Sequence, residues 1–111
     1  MNSDTNKPQW VIQAEQYLDR AYDHYERDEY DQALEACDAA LELDPDLADA
    51  HNVRGVVLET LGNRLDALKA YEQAIRIDSD LVEARENLAD LKAELATPGR
   101  LVTIATFESL A

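Results

Sequence analysis

Displaced along itself by 34 positions, the chain superposes Ala14 on Ala48, Arg20 on Arg54, Ala33 on Ala67, Leu34 on Leu68, Ala36 on Ala70, Ala40 on Ala74 and Asp44 on Asp78. The ends agree as well, Asp46 with Asp80 and Leu47 with Leu81. A fixed period of this length marks a helix-turn-helix unit that cannot bury its apolar face alone and therefore stacks on the next copy. The period predicts an all-α solenoid of two repeats, residues 14–47 and 48–81. Neighbouring units supply each other's core in such an array, so function is expected on a surface.

Apolar spacing places the helices. Met1 to Lys7 is polar and expected to be flexible, which sets residues 1–8 apart from a helical domain over 9–96. Pro8 suits a first helical turn, where its fixed φ is already helical and its missing N–H is not needed. From there to about Arg27, Trp10, Ala14, Tyr17, Ala21 and His24 recur at the three- and four-residue steps of one buried stripe. Leu18, Tyr22 and Tyr25 make a second stripe, expected to be a patch separate from the core, exposed or covered by the tail. Tyr30 to Leu43 reads as a second helix with Ala33, Leu34, Cys37, Ala40 and Leu41 inward. Asp44-Pro45 stops it, because proline disfavours helix at the residue before it.

Asp46 is expected to cap a third helix that runs to about Leu61, with Ala50, Val53, Val57, Leu58 and Leu61 toward the core and Gly62 as its left-handed cap. A fourth helix, from about Leu65 to Ile77, is expected to bury Leu65, Leu68, Tyr71, Ala74 and Ile75. With Ser79 or Asp80 as its cap, a fifth over 81–96 aligns with the first helix of another repeat through Ala84, Leu88 and Ala89, and reads as a capping helix. Thr97-Pro98-Gly99 breaks the pattern, and the β-branched run from Leu101 to Phe107 predicts a non-helical or strand-like tail over 97–111, or the start of a truncated further module. Docking of that tail in the groove, pairing between chains and disorder all stay open.

These residues resemble the tetratricopeptide repeat (TPR) family, from Ala14 to about Ala96. Gly55, Leu58, Ala67, Tyr71 and Ala74 stand in the slots where the family's paired helices interlock, and Ala21, His24, Ala33, Cys37, Ala40 and Pro45 do so in the first copy. Tyr17 replaces the family's tryptophan, as His51 does in the second copy, and Ser79 replaces the closing proline. The resemblance implies a protein-interaction module whose first helices line a concave groove for an extended peptide or a partner helix. The groove slots so implied are Leu18, Asp19, Tyr22 and Tyr25, then Asn52, Val53, Val56 and Glu59, then Glu86, Asn87 and Asp90. Family members that grip a C-terminal carboxylate do so with Lys, Arg and Asn. Here the matching places are Leu18, Tyr22, Val53, Glu83 and Asn87, with no cation among them.

Charge narrows the partner. The formal charge of −14, from ten basic and 24 acidic residues, comes with no basic stripe, which argues against nucleic acid and against an anionic membrane. Such acidity serves a solvated, self-repelling surface or attracts a basic partner. An apolar and aromatic groove floor inside an acidic rim favours a protein or peptide that carries Lys or Arg with a few large apolar anchors. No run of about 18 apolar residues is present, and the polar start lacks the core of a signal peptide, so a cytoplasmic protein is expected.

Catalytic patterns are sparse. Cys37 and His24 could form a dyad, but both occupy packing slots, and a lone cysteine on an inward face reads as a small buried hydrophobe. Asp44, Asp46, Asp49 and His51 crowd one turn, yet a calcium loop beginning at Asp44 would need Gly and Glu where Asp49 and Gly55 stand. Gly55 and Gly62 make no phosphate-cradling motif. The expectation is a non-enzymatic module with no catalytic residues, metal or cofactor. A self-assembly element, a homo-oligomer through groove or tail, is the alternative, and an enzyme the distant one.

Overall fold

A computed structural model of the chain describes residues 6–96. Its helices, in chain order, are α1 (Gln9–Glu26), α2 (Tyr30–Leu43), α3 (Ala48–Thr60), α4 (Arg64–Ile77) and α5 (Val82–Ala96). Each boundary lies within a few residues of the place that proline, glycine and apolar spacing assign to it. Helices α1 and α2 form one antiparallel pair, α3 and α4 the next, and α5 packs on α3 and α4. The result is an all-α solenoid of helical hairpins. The expectations for residues 1–5 and for the tail over 97–111 lie outside the described residues.

The turns inside the two pairs are built alike. After α3, the Asn63 N–H bonds to the Leu58 carbonyl at 2.8 Å and the Gly62 N–H to that of Glu59 at 3.0 Å, with Gly62 at φ 90°. This double bond satisfies carbonyls that the helix end would leave open, and it requires a left-handed residue at its centre. One period earlier, Glu29 N–H bonds to His24 at 2.9 Å and Asp28 N–H to Tyr25 at 3.0 Å, with Asp28 at φ 61°. An aspartate there adopts a backbone that glycine would hold without steric cost.

Between the pairs the chain turns on aspartates. The Asp46 N–H donates to Asp44 Oδ1 at 3.1 Å, and the Asp80 N–H to Asp78 Oδ1 at 3.0 Å. Leu47, without a side-chain bond, is the N-cap of α3. The expected cap at Asp46 is therefore corrected. Its neighbour two residues earlier folds the turn, because a short carboxylate reaches the backbone two positions on.

Small residues let the helices close. Ala14, Ala21, Ala33, Ala40, Ala50, Ala67, Ala74 and Ala84 are all fully buried. One core cluster gathers Leu18, Cys37, Val53 and Val57 with Tyr17, Tyr25 and Leu41 packed against it; a second gathers Leu58, Tyr71 and Leu91. Leu18 thus belongs to the core, which corrects the expectation of a separate patch, and Tyr25 packs on that core too. The reason is that α1 meets α3 as well as α2, so its apolar arc serves two neighbours. Trp10 (46% exposed), Leu61 (41%) and Leu65 (67%) face solvent, not the core. For Leu61 and Leu65 the repeat explains it, since they stand one period beyond Arg27 and Asp31, both exposed. None of the described helices is long and apolar enough to cross a membrane.

Candidate functional site

The first helices of the successive pairs, α1, α3 and α5, contribute to one face. It carries a depression of about 280 Å³ lined by Tyr25, Val56, Glu59, Thr60, Tyr71 and Asn87. Tyr71 reaches it from α4. Its ring is fully buried against Gly55, but its hydroxyl donates to Glu59 Oε1 at 2.7 Å. Burial, and after it the hydrogen bond and charge of Glu59, push the Tyr71 phenol well above its ordinary range, so it stays a neutral donor. Thr60 donates to the Val56 carbonyl at 2.9 Å, and Asn87 Nδ2 to Asn52 Oδ1 at 3.0 Å.

Farther along the same face Tyr22 is 40% exposed. Partial burial raises its pKa, and so do the charges of Asp49 and Glu83, with a smaller effect from Asp19. Carboxylates from α1, α3 and α5 therefore all act on one half-exposed ring.

Of the groove slots implied by the sequence, Tyr25, Val56, Glu59 and Asn87 converge on the depression, while Asp19 on α1 and Glu86 and Asp90 on α5 are exposed. Leu18, Asn52 and Val53 are buried, so these three do not present their side chains to a partner. They sit where first helix meets first helix. Leu18 and Val53 share a core cluster, and one period on, Asn52 and Asn87 make their hydrogen bond. Tyr71 lines the depression from a slot that sequence reasoning assigned to packing alone; its buried ring carries a hydroxyl long enough to reach Glu59.

A larger depression of about 500 Å³ lies between α1 and α2 around Tyr17, Arg20, Glu42 and Leu43. The Arg20 guanidinium lies 5.0 Å from the Tyr17 ring centre and covers part of it. On α5, Val82, Arg85, Glu86 and Ala89 form an open face. Ala89 stands one period beyond Gly55, the residue that packs against Tyr71, and no second helix meets it among the described residues.

The candidate dyad is not assembled for catalysis. Cys37 is fully buried, its thiol pushed up to about 12 chiefly by burial, and His24 Nδ1 bonds Glu29 Oε1 at 2.9 Å. His51 Nε2–H donates to the Pro45 carbonyl at 2.9 Å, which ties that ring to the turn beneath it. Among the described residues no group of three or more His, Cys, Asp or Glu side chains could hold a metal ion.

A family model described as Tetratricopeptide repeat matches residues 18–82, more than half of the chain. Among solved structures, the first TPR of Spaghetti (RPAP3) bound to the HSP90 peptide SRMEEVD superposes with a TM-score of 0.71 at 23% identity, covering 75% of this chain and 66% of that one. The second TPR of the same protein, bound to the same peptide, gives 0.75 at 21% identity, with 80% and 82% covered. MamA protein gives 0.72 at 25% identity, with 84% of this chain and 51% of that one, so the chain spans about half of MamA's length. No curated protein sequence matches.

Proposed function

Because the chain belongs to the tetratricopeptide repeat family, we propose that it is a non-catalytic interaction module whose concave face holds a peptide or helix carrying basic and large apolar residues. The observation that carries this reading is the convergence of Tyr25, Val56, Glu59 and Asn87, from three successive first helices, on one depression. Carboxylates around Tyr22 extend the same face. A partner with Lys or Arg gains from this field, and a net charge of −14 speeds its approach. The HSP90 peptide in the similar structures ends in Glu-Glu-Val-Asp, and a chain with carboxylates in these places would repel such a ligand. We place the module in the cytoplasm, where a lone thiol such as Cys37 stays reduced.

Selection of displayed peptides on the immobilised protein tests this. Enriched sequences should combine Arg or Lys with Leu, Phe or Trp, and their binding should be lost in Tyr22→Ala and in Val56→Lys. Binders that are indifferent to both substitutions would remove the concave face from the reading.

A second reading, self-assembly, is favoured by the open face of α5 around Val82 and Ala89, a position at which the earlier first helices pack against a second helix. Light scattering across a concentration series separates the two. A mass that rises with concentration and returns to the monomer in Ala89→Glu would favour assembly.

A further inference from the structure

The polar groups around the concave depression have an unequal account of donors and acceptors. The Tyr71 hydroxyl proton is committed to Glu59 Oε1 at 2.7 Å, and that of Thr60 to the Val56 carbonyl at 2.9 Å. At the 3.4 Å contact between Tyr25 and Thr60 the tyrosine must then be the donor. Asn87 spends one N–H on Asn52. What these groups still offer is mostly acceptors: Glu59 Oε2, Asn87 Oδ1 and the lone pairs of three hydroxyls. Glu59 is half-buried, and none of the ion pairs among the described residues, Lys7 with Glu15, His24 with Glu29 and Arg54 with Asp38, involves it. A carboxylate withdrawn from water beside a half-buried tyrosine ring, with acceptors in surplus, fits a ligand that brings donors and positive charge together.

We propose that this depression is an anchor for one arginine side chain of the partner, held by Glu59 with Asn87 and Thr60 around it and Tyr25 as its wall. The inference rests on the interaction-module reading above and narrows it to a single residue type at a single place. A guanidinium carries five N–H donors in a planar fork and no acceptor, so it matches the surplus. Its flat, weakly hydrated face also stacks on a tyrosine ring. An ammonium offers a point charge and three donors without that stacking surface, and is the weaker fit. The depression, about 280 Å³, has room for a side chain and not for a folded segment.

Amide chemical shifts of the labelled protein, titrated with N-acetyl-arginine methylamide and separately with its citrulline analogue, test the inference. Citrulline keeps the shape and loses the charge. With the arginine probe, shifts should concentrate at Tyr25, Val56, Glu59, Thr60 and Asn87. Binding should weaken at least about tenfold with citrulline, and likewise in Glu59→Gln, which keeps an acceptor for the Tyr71 hydroxyl and so preserves the fold. Equal shifts from citrulline, or shifts spread evenly over Glu83, Glu86 and Asp90, would overturn the anchor. A selected basic peptide that binds Glu59→Gln as tightly as wild type but is lost in Tyr22→Ala would also overturn it, while leaving the concave-face reading in place. Loss of selected peptides in none of these variants would bring down that broader reading itself.

Discussion

Gly55 and Tyr71 occupy one site between α3 and α4 in which there is no room for another carbon. A β-carbon on Gly55 would lie 2.5 Å from Tyr71 Cε1 and 2.6 Å from Cδ1. The ring cannot swing aside easily, because it is 1% exposed and its hydroxyl is tied to Glu59. One period earlier the same two places hold Ala21 and Cys37, a larger residue facing a smaller one. Gly55→Ala should therefore cost about 1–3 kcal/mol by overpacking. Adding Tyr71→Cys should return much of that loss relative to Tyr71→Cys alone. Denaturant unfolding of the four proteins gives the coupling directly. Additive single effects would mean that the two sites are independent.

The joints between first helices also exist in two versions. Leu18 and Val53 make an apolar one, and Asn52 with Asn87 a polar one. Asn52 is 4% exposed, so Asn87→Val should leave a buried amide without its partner and destabilise by about 1–3 kcal/mol. The double variant Asn52→Leu with Asn87→Val copies the first joint and should recover most of the loss. A double variant less stable than the single one would show that the polar pair holds α5 in a way that apolar contact cannot replace.

Gly62 needs its glycine for backbone reasons alone, since a β-carbon there would meet nothing within 4 Å at φ +90°. Gly62→Ala should cost about 1 kcal/mol. In the reverse direction, Asp28→Gly should gain up to about 1 kcal/mol, less whatever the exposed 2.8 Å bond from the Tyr30 hydroxyl contributes. Thermal melting of both variants checks the pair. A stabilised Gly62→Ala would refute the left-handed requirement.

The period of 34 makes the helix order, the hairpin pairing and the alanine contacts legible in the sequence. It also reaches single burial states: Leu91, fully buried, stands one period beyond the buried Val57, and the exposed Leu65 one beyond the exposed Asp31. Reading each first helix as one stripe toward its own partner failed for Leu18, because such a helix meets the next first helix too. The depression was half legible. Tyr25, Val56, Glu59 and Asn87 follow from position, but Tyr71 does double duty, its ring in the core and its hydroxyl tied to Glu59 at the lining of the depression. Which protons are already spent is a matter of angles and distances that a residue list does not contain.

Self-repulsion among carboxylates should respond to salt. With a formal charge of −14 and exposed acids such as Asp19 on α1 and Glu83, Glu86 and Asp90 on α5, added sodium chloride should raise the melting temperature by a few degrees as screening shortens to about 8–10 Å. Affinity for a basic peptide should fall over the same series. A melting temperature that drops with salt would mean that ion pairs such as Arg54 with Asp38, 2.9 Å apart, outweigh the repulsion.

Cys37 predicts how the fold fails in alkali. Its thiol is fully buried between α2 and its neighbours, and burial, with the charge of Asp38, raises its pKa from the ordinary 9.0 to about 12, against a smaller opposing effect of Arg54. The folded protein thus holds the proton more tightly than the unfolded chain does. Its contribution to stability is complete below about pH 9 and is lost as pH climbs from there toward 12, because only the unfolded chain ionises in that window. Tyr71, also raised, steepens the decline at its upper end. Stability measured from pH 8 to 11 should fall, and the fall should be shallower in Cys37→Ala, whose lower starting stability does not alter the slope. Thiol labelling gives a second check: at pH 8.5 the native protein should react at least about a hundredfold more slowly than the denatured chain. A native thiol that labels at the denatured rate would place Cys37 at the surface and remove both expectations.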